Sequence, residues 1–166
     1  ERGLRWFPDS SELRFLRGEL RLRHGDPSGA AADLERCVAP HSGPVVLVTH
    51  DDVVGCQGRT LLAMAYLQLR RYPDAERALR QAAAAAPESF AKAHRLLGVL
   101  LACRGALAEA VPYLRTALER DSEDLSALRL TLGQALLRLG RADEARAALA
   151  PIAHEPQAQA LLQLTP

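Results

Sequence analysis

The sequence predicts an all-α fold, an α-solenoid of about four helix-turn-helix repeats, and three observations predict it. Alanine, leucine and arginine dominate, while aromatic residues make up 4% of the chain, a balance that favours helix over sheet. Small residues recur at a fixed interval: Ala63, Gly98 and Gly133 stand 35 apart, and so do Ala75, Ala110 and Ala145. Between the two small positions, Gly25, Gly105 and Gly140 fall where a first helix has to end, a place that suits a residue able to take a left-handed backbone.

The copies follow in order. Residues 1–10 read as the tail of an upstream second helix, because Pro8 precedes Ser11 by the offset at which a closing proline precedes the next copy. Copy one spans 11–44, with Gly18 and Ala30 in the small positions; Asp26 is its second-helix N-cap and Pro27 follows at a position where the missing amide donor costs nothing. Gly18 and Ala63 are 45 apart, so about ten residues are inserted, read as a loop over 45–55 around PVVLVTHDDVVG. Copies two, three and four span 56–90, 91–125 and 126–155, and Pro73 opens the second helix of copy two. Tyr66, Leu101 and Leu136 follow the first small residue by three, and Leu79, Leu114 and Leu149 follow the second by four, both same-face offsets on a helix. The small residues let the two helices of a copy cross closely, so leucine at Gly98 would wedge them apart. Residues 156–166 form a capping helix or the start of a further repeat.

This pattern resembles the tetratricopeptide repeat, whose small, large and alanine positions are matched by Ala63, Tyr66 and Ala75 in copy two, Gly98, Leu101 and Ala110 in copy three, and Gly133, Leu136 and Ala145 in copy four. The resemblance covers residues 1 to about 152 and implies a right-handed superhelix whose first helices line a concave groove. On that geometry the groove residues are Phe15, Glu19 and Arg23 in copy one, with Glu12 and Leu22, and Gln57, Thr60, Met64 and Gln68 in copy two, with Leu67. Copy three supplies Lys92, Arg95 and Val99, with Ala102 and Cys103; copy four supplies Gln134 and Arg138, with Ala127, Leu130 and Leu137. Apolar patches mixed with Lys92, Arg95 and Arg138 suit a peptide with some acidic residues. The family's clamp for C-terminal carboxylates depends on asparagine, and the chain has none. The long insertion, the β-like run Val45 to Thr49 and a helix beginning near Gly58 resemble the repeat region attached to some bacterial family 2 glycosyltransferases, which implies an accessory role in presenting an acceptor.

Other function classes find little support. Lys plus Arg number 21 against 20 Asp plus Glu, so no overall basic field draws nucleic acid or an anionic membrane. Cys37, Cys56 and Cys103 are odd in number and widely spaced, which argues against a disulfide framework or structural zinc and for a reducing, cytoplasmic setting. The apolar runs are too short to span a bilayer. THDDVVGCQGRT gathers His50, Asp51, Asp52 and Cys56, yet it lacks the ligand offsets of a metal site and the spacing and lysine of a phosphate loop. It reads as a polar loop with a helix start near Asp51 or Asp52. No nucleophile stands beside a base in a recognisable motif. The expectation is a non-enzymatic scaffold without cofactor or metal, whose partner is a protein or peptide segment or another domain of its parent chain.

Overall fold

The computed structural model describes residues 6–7, 10–39, 51–85, 91–120 and 125–164, of which 51–54 are described by backbone alone. Most of the expected upstream tail and the whole run Val45–Thr49 lie outside the described residues. Among those described, the regular structure is helical throughout. The chain divides into two compact units, Glu1–Pro87 and Glu88–Pro166.

The first unit holds α1 (Ser11–Arg23), α2 (Pro27–Cys37), α3 (Asp51–Gln68) and α4 (Tyr72–Ala85). α1 pairs with α2, α3 pairs with α4, and α3 packs on α2 and touches α1. The second unit holds α5 (Ala91–Cys103), α6 (Leu107–Arg120), α7 (Ser126–Arg138), α8 (Ala142–Leu149), a 3-10 turn (Ala150–Ile152) and α9 (Pro156–Gln163). Here α5 pairs with α6, α7 pairs with α8, α7 packs on α6 and touches α5, and α9 rests on α7 and α8.

All four hairpins close by the same turn. The backbone N–H of Asp26 donates to Arg21 at 2.9 Å, Arg71 to Tyr66 at 2.8 Å, Ala106 to Leu101 at 3.0 Å and Arg141 to Leu136 at 2.9 Å. This five-residue reach back into the helix is the Schellman bond, and it needs a left-handed residue just before the donor. Gly25, Gly105 and Gly140 supply it with φ of 75°, 83° and 73°; in copy two Arg70 does so with φ of 58°. Asp26 caps α2 as expected, its Oδ1 accepting from the Gly29 N–H at 2.8 Å, and Ser10 caps α1 by accepting from the Leu13 N–H at 3.2 Å.

The small residues do bring the helices of each hairpin together. A Cβ built on Gly18 would stand 2.7 Å from Leu34, on Gly98 2.8 Å from Leu114, and on Gly133 2.7 Å from Leu149. Those leucines, their copy-two counterpart Leu79, and Ala30, Ala75, Ala110 and Ala145 are wholly enclosed. Each hairpin core is therefore one leucine seated on a residue with little or no side chain, beside an alanine at the crossing.

Two expectations are corrected. The segment 51–55, expected as loop, is the start of α3, which runs for 18 residues where α5 and α7 run for 13. The helix therefore begins well before Gly58. No proline interrupts DDVVGCQGRT, and an Asp-Asp opening is favoured at the positive end of the helix dipole. Gly55 and Gly58, in a stretch that already lacked the spacing and lysine of a phosphate loop, are helical residues. A Cβ on Gly58 would stand 3.0 Å from Val38 and 3.5 Å from Cys37, so that glycine admits α2. At the other end, Pro151 stops α8 after eight residues by removing an amide donor, and the chain turns so that Ile152 and Ala158 join Leu149 in a core flanked by Leu130, Leu161 and Leu162.

Candidate functional site

A helix in a hairpin repeat buries one face against its partner and one against the adjacent copy, and the resemblance noted above implies that the remaining first-helix residues form a groove stripe. In the first unit the expected groove residues are Phe15, Glu19 and Arg23 on α1 and Gln57, Met64 and Gln68 on α3, two helices that touch. Phe15, Glu19, Gln57 and Met64 are half-buried, whereas Arg23 and Gln68 are exposed. Phe15 reaches toward α3, its Cδ2 3.9 Å from where a Cβ on Gly58 would stand. Arg23 donates to Glu19 at 2.7 Å across one turn, so these charges answer each other.

Thr60 does not belong to the surface. It is 2% exposed, and its hydroxyl donates to the Cys56 carbonyl at 2.9 Å, while the Cys56 thiol donates to the Ala82 carbonyl at 3.3 Å. The Cys56 thiol thus faces α4, and the Thr60 side chain is turned inward. Cys56 is thereby committed to the core; His50 lies outside the described residues. Burial lifts both the Cys56 and the Cys37 thiols, Cys37 to about 11 with Glu12 adding to the effect.

In the second unit the stripe runs over Lys92, Arg95 and Val99 on α5 and Gln134 and Arg138 on α7. Lys92, Gln134 and Arg138 are exposed, and Arg95 and Val99 are half-buried, as are Leu130 and Leu137. The second helices of this unit are different in kind. Glu144 on α8 accepts from Arg141 at 2.6 Å and also from Arg115 on α6, and these two guanidiniums hold its carboxyl below the usual range. Between α6 and α8 lies a hollow of about 420 Å³, with Leu118, Leu132 and Leu136 in its lining and Arg115, Arg129 and Glu144 among its polar residues.

Sequence reasoning missed a buried polar cluster in the first hairpin. Asp33, 3% exposed, accepts from Arg17 Nε at 2.7 Å and from Arg21 Nη1 at 2.8 Å, and Arg21 Nη1 donates also to the Gly29 carbonyl at 2.9 Å. The signal was present: Arg17 and Arg21 stand where Leu97 and Leu101, or Leu132 and Leu136, stand in later copies. A second polar contact ties the two hairpins of this unit, Tyr66 donating to Glu35 at 2.7 Å with the Arg71 guanidinium 4.4 Å above the Tyr66 ring.

Among the described residues no group of three or more His, Cys, Asp or Glu is placed to hold a metal ion. No described helix is long and apolar enough to cross a membrane. What the hairpins offer is extended surface, and the class they define is a helical repeat scaffold. Two tetratricopeptide repeat models match the sequence, one over residues 60–124 and the other over 104–165. The chain belongs to the tetratricopeptide repeat family, a protein-interaction fold. Solved structures agree on the fold. YrrB, described as a TPR protein with an unusual peptide-binding site, is 18% identical with a TM-score of 0.81, over 99% of this chain and 80% of that one. MamA is 18% identical with a TM-score of 0.73, over 98% of this chain and 84% of that one. No curated protein matches the sequence.

Proposed function

We propose that the chain is a scaffold that binds an extended or helical protein segment on the surface of its first helices. The observation that supports this is the character of the stripe in each unit. Phe15, Met64 and Val99 keep part of their apolar surface in solvent, flanked by Gln57, Gln68, Gln134 and other polar residues able to hydrogen-bond a peptide backbone. None of those three apolar residues is among the wholly enclosed crossing residues of the hairpins. The likeness to YrrB is compatible with the reading, since that protein has a peptide-binding site.

The test is a selection from a random peptide display library, followed by affinity measurement with purified variants. Val99→Asp and Met64→Asp place charge on the stripe without touching the crossing positions, and each is expected to weaken the selected peptides, whereas Arg77→Glu on the second helix α4 leaves them unchanged. Peptides whose affinity responds to Arg77→Glu and not to Val99→Asp or Met64→Asp would move the site to the second helices.

A further inference from the structure

We infer that the second unit takes an acidic peptide across α5 and α7, a proposal that rests on the first-helix reading above and names the ligand for half of that surface. The helical carboxylates of this unit are sorted by helix, while α6 and α8 also carry Arg115, Arg120 and Arg146. α5 and α7 carry Lys92, Arg95, Arg129 and Arg138 and not one carboxylate. The helical carboxylates of the unit, Glu109, Glu119, Asp143 and Glu144, all lie on α6 and α8. Part of that acidity is already answered there, because Asp143 accepts from Arg146 at 2.6 Å and Glu144 accepts from both Arg141 and Arg115.

The stripe places its cations at opposite ends. Lys92 and Arg95 stand at the start of α5 and Arg138 in the last turn of α7, with half-buried Val99, Leu130 and Leu137 between them. A segment with acidic residues spaced around a short apolar stretch matches both features. The corresponding stripe of the first unit does not: it carries Glu12, Glu19 and Arg23, with Glu19 already bound to Arg23, and α3 contributes only uncharged residues to it. Nucleic acid is the other anionic polymer, but α5 and α7 contain no Phe, Tyr or Trp on which bases could stack.

The experiment uses the whole chain and two labelled dodecapeptides, one with glutamate and leucine set among serine and glycine, the other with every glutamate replaced by glutamine, read by fluorescence anisotropy. The glutamate peptide is expected to bind and the glutamine peptide to bind about tenfold more weakly, with the difference shrinking at high salt. Lys92→Glu combined with Arg138→Glu, both exposed positions, should weaken the glutamate peptide by about tenfold, and Arg23→Glu should not. Equal binding of the two peptides, with loss in Val99→Asp, overturns the charge assignment and leaves the first-helix reading standing. Binding that ignores both the charge reversals and Val99→Asp sinks the two together. Failure of the glutamate peptide to bind, or its displacement by a single-stranded oligonucleotide of equal length at lower concentration, also overturns the proposal.

Discussion

Arg70 holds φ at 58° in the slot that glycine fills in the other three turns. A residue with a Cβ pays about 1–2 kcal/mol for that left-handed backbone, partly offset because glycine loses more freedom on folding. Arg70→Gly is expected to raise stability by up to about 1 kcal/mol, and Gly140→Ala to lower it by about 1 kcal/mol, both read from urea unfolding followed by circular dichroism. Gly98 is limited by space and not by φ: its Cβ would meet the Leu114 side chain at 2.8 Å and the Leu114 backbone nitrogen at 3.1 Å. Gly98→Ala should therefore cost about 1–3 kcal/mol, and Gly98→Leu should cost more. The cysteines separate by the same kind of local argument. Cys103 is exposed, while Cys37 and Cys56 are buried with thiols raised by desolvation. A thiol reagent at neutral pH should modify Cys103 in the native protein and reach the other two only on unfolding, as counted by mass spectrometry.

The first hairpin differs from the other three as an element. Its second helix turns Asp33 inward where copies two and four have Ala78 and Ala148, and its first helix meets that carboxylate with two arginines whose side chains are 28% and 32% exposed. Removing Asp33 alone takes from Arg17 and Arg21 the buried carboxylate they share, while Arg21 keeps the Gly29 carbonyl, so Asp33→Ala should cost about 2–3 kcal/mol, less than for a fully buried pair because solvent reaches both guanidiniums. Converting the cluster to the pattern of later copies, Arg17→Leu with Arg21→Leu and Asp33→Ala, should be neutral or stabilising. Thermal unfolding of the single and triple variants checks this, and a triple variant less stable than Asp33→Ala would show that the cluster contributes more than its hydrophobic substitute. α3 makes the complementary point. Its first turn could not be assigned to helix from periodicity because glycines at 55 and 58 weaken the pattern; the close seat of Gly58 on Val38 and Cys37 is what makes a glycine useful there.

At the scale of the whole molecule the two units respond to opposite ends of the pH range. Cys37 is raised from 9.0 to about 11 and Tyr66 from 10.0 to about 12, the latter by burial and then by its bond to Glu35. Both folded forms hold their proton more tightly than the unfolded chain, so their contribution is complete below pH 9 and is lost as pH rises through about 11 to 12. Both lie in the first unit. Glu144, held below 4.5 by Arg141 and Arg115, lies in the second; its contribution is present above pH 4.5 and is lost as pH falls below it. Hydrogen exchange, corrected for intrinsic rates, should show α1–α4 losing protection first in base and the α6–α8 link loosening first in acid. A uniform response across both units would contradict this.

The sequence by itself determined the hairpins. A 35-residue period, small residues opposite leucines and a glycine after three of the four first helices are local and steric features, and each is written in residue type at fixed offsets. The candidate stripe came from the family resemblance that this pattern carries, and it remains a proposal. Only the tertiary structure decided that Thr60 and Cys56 turn inward, that α3 runs from Asp51 through Gly55 and Gly58, and that Asp33 gathers Arg17 and Arg21. Those outcomes depend on which neighbouring helix a side chain meets. Periodicity gives the face of a helix, whereas burial of a hydroxyl or a carboxylate is settled by whether the opposing helix presents an acceptor or a donor at bonding distance.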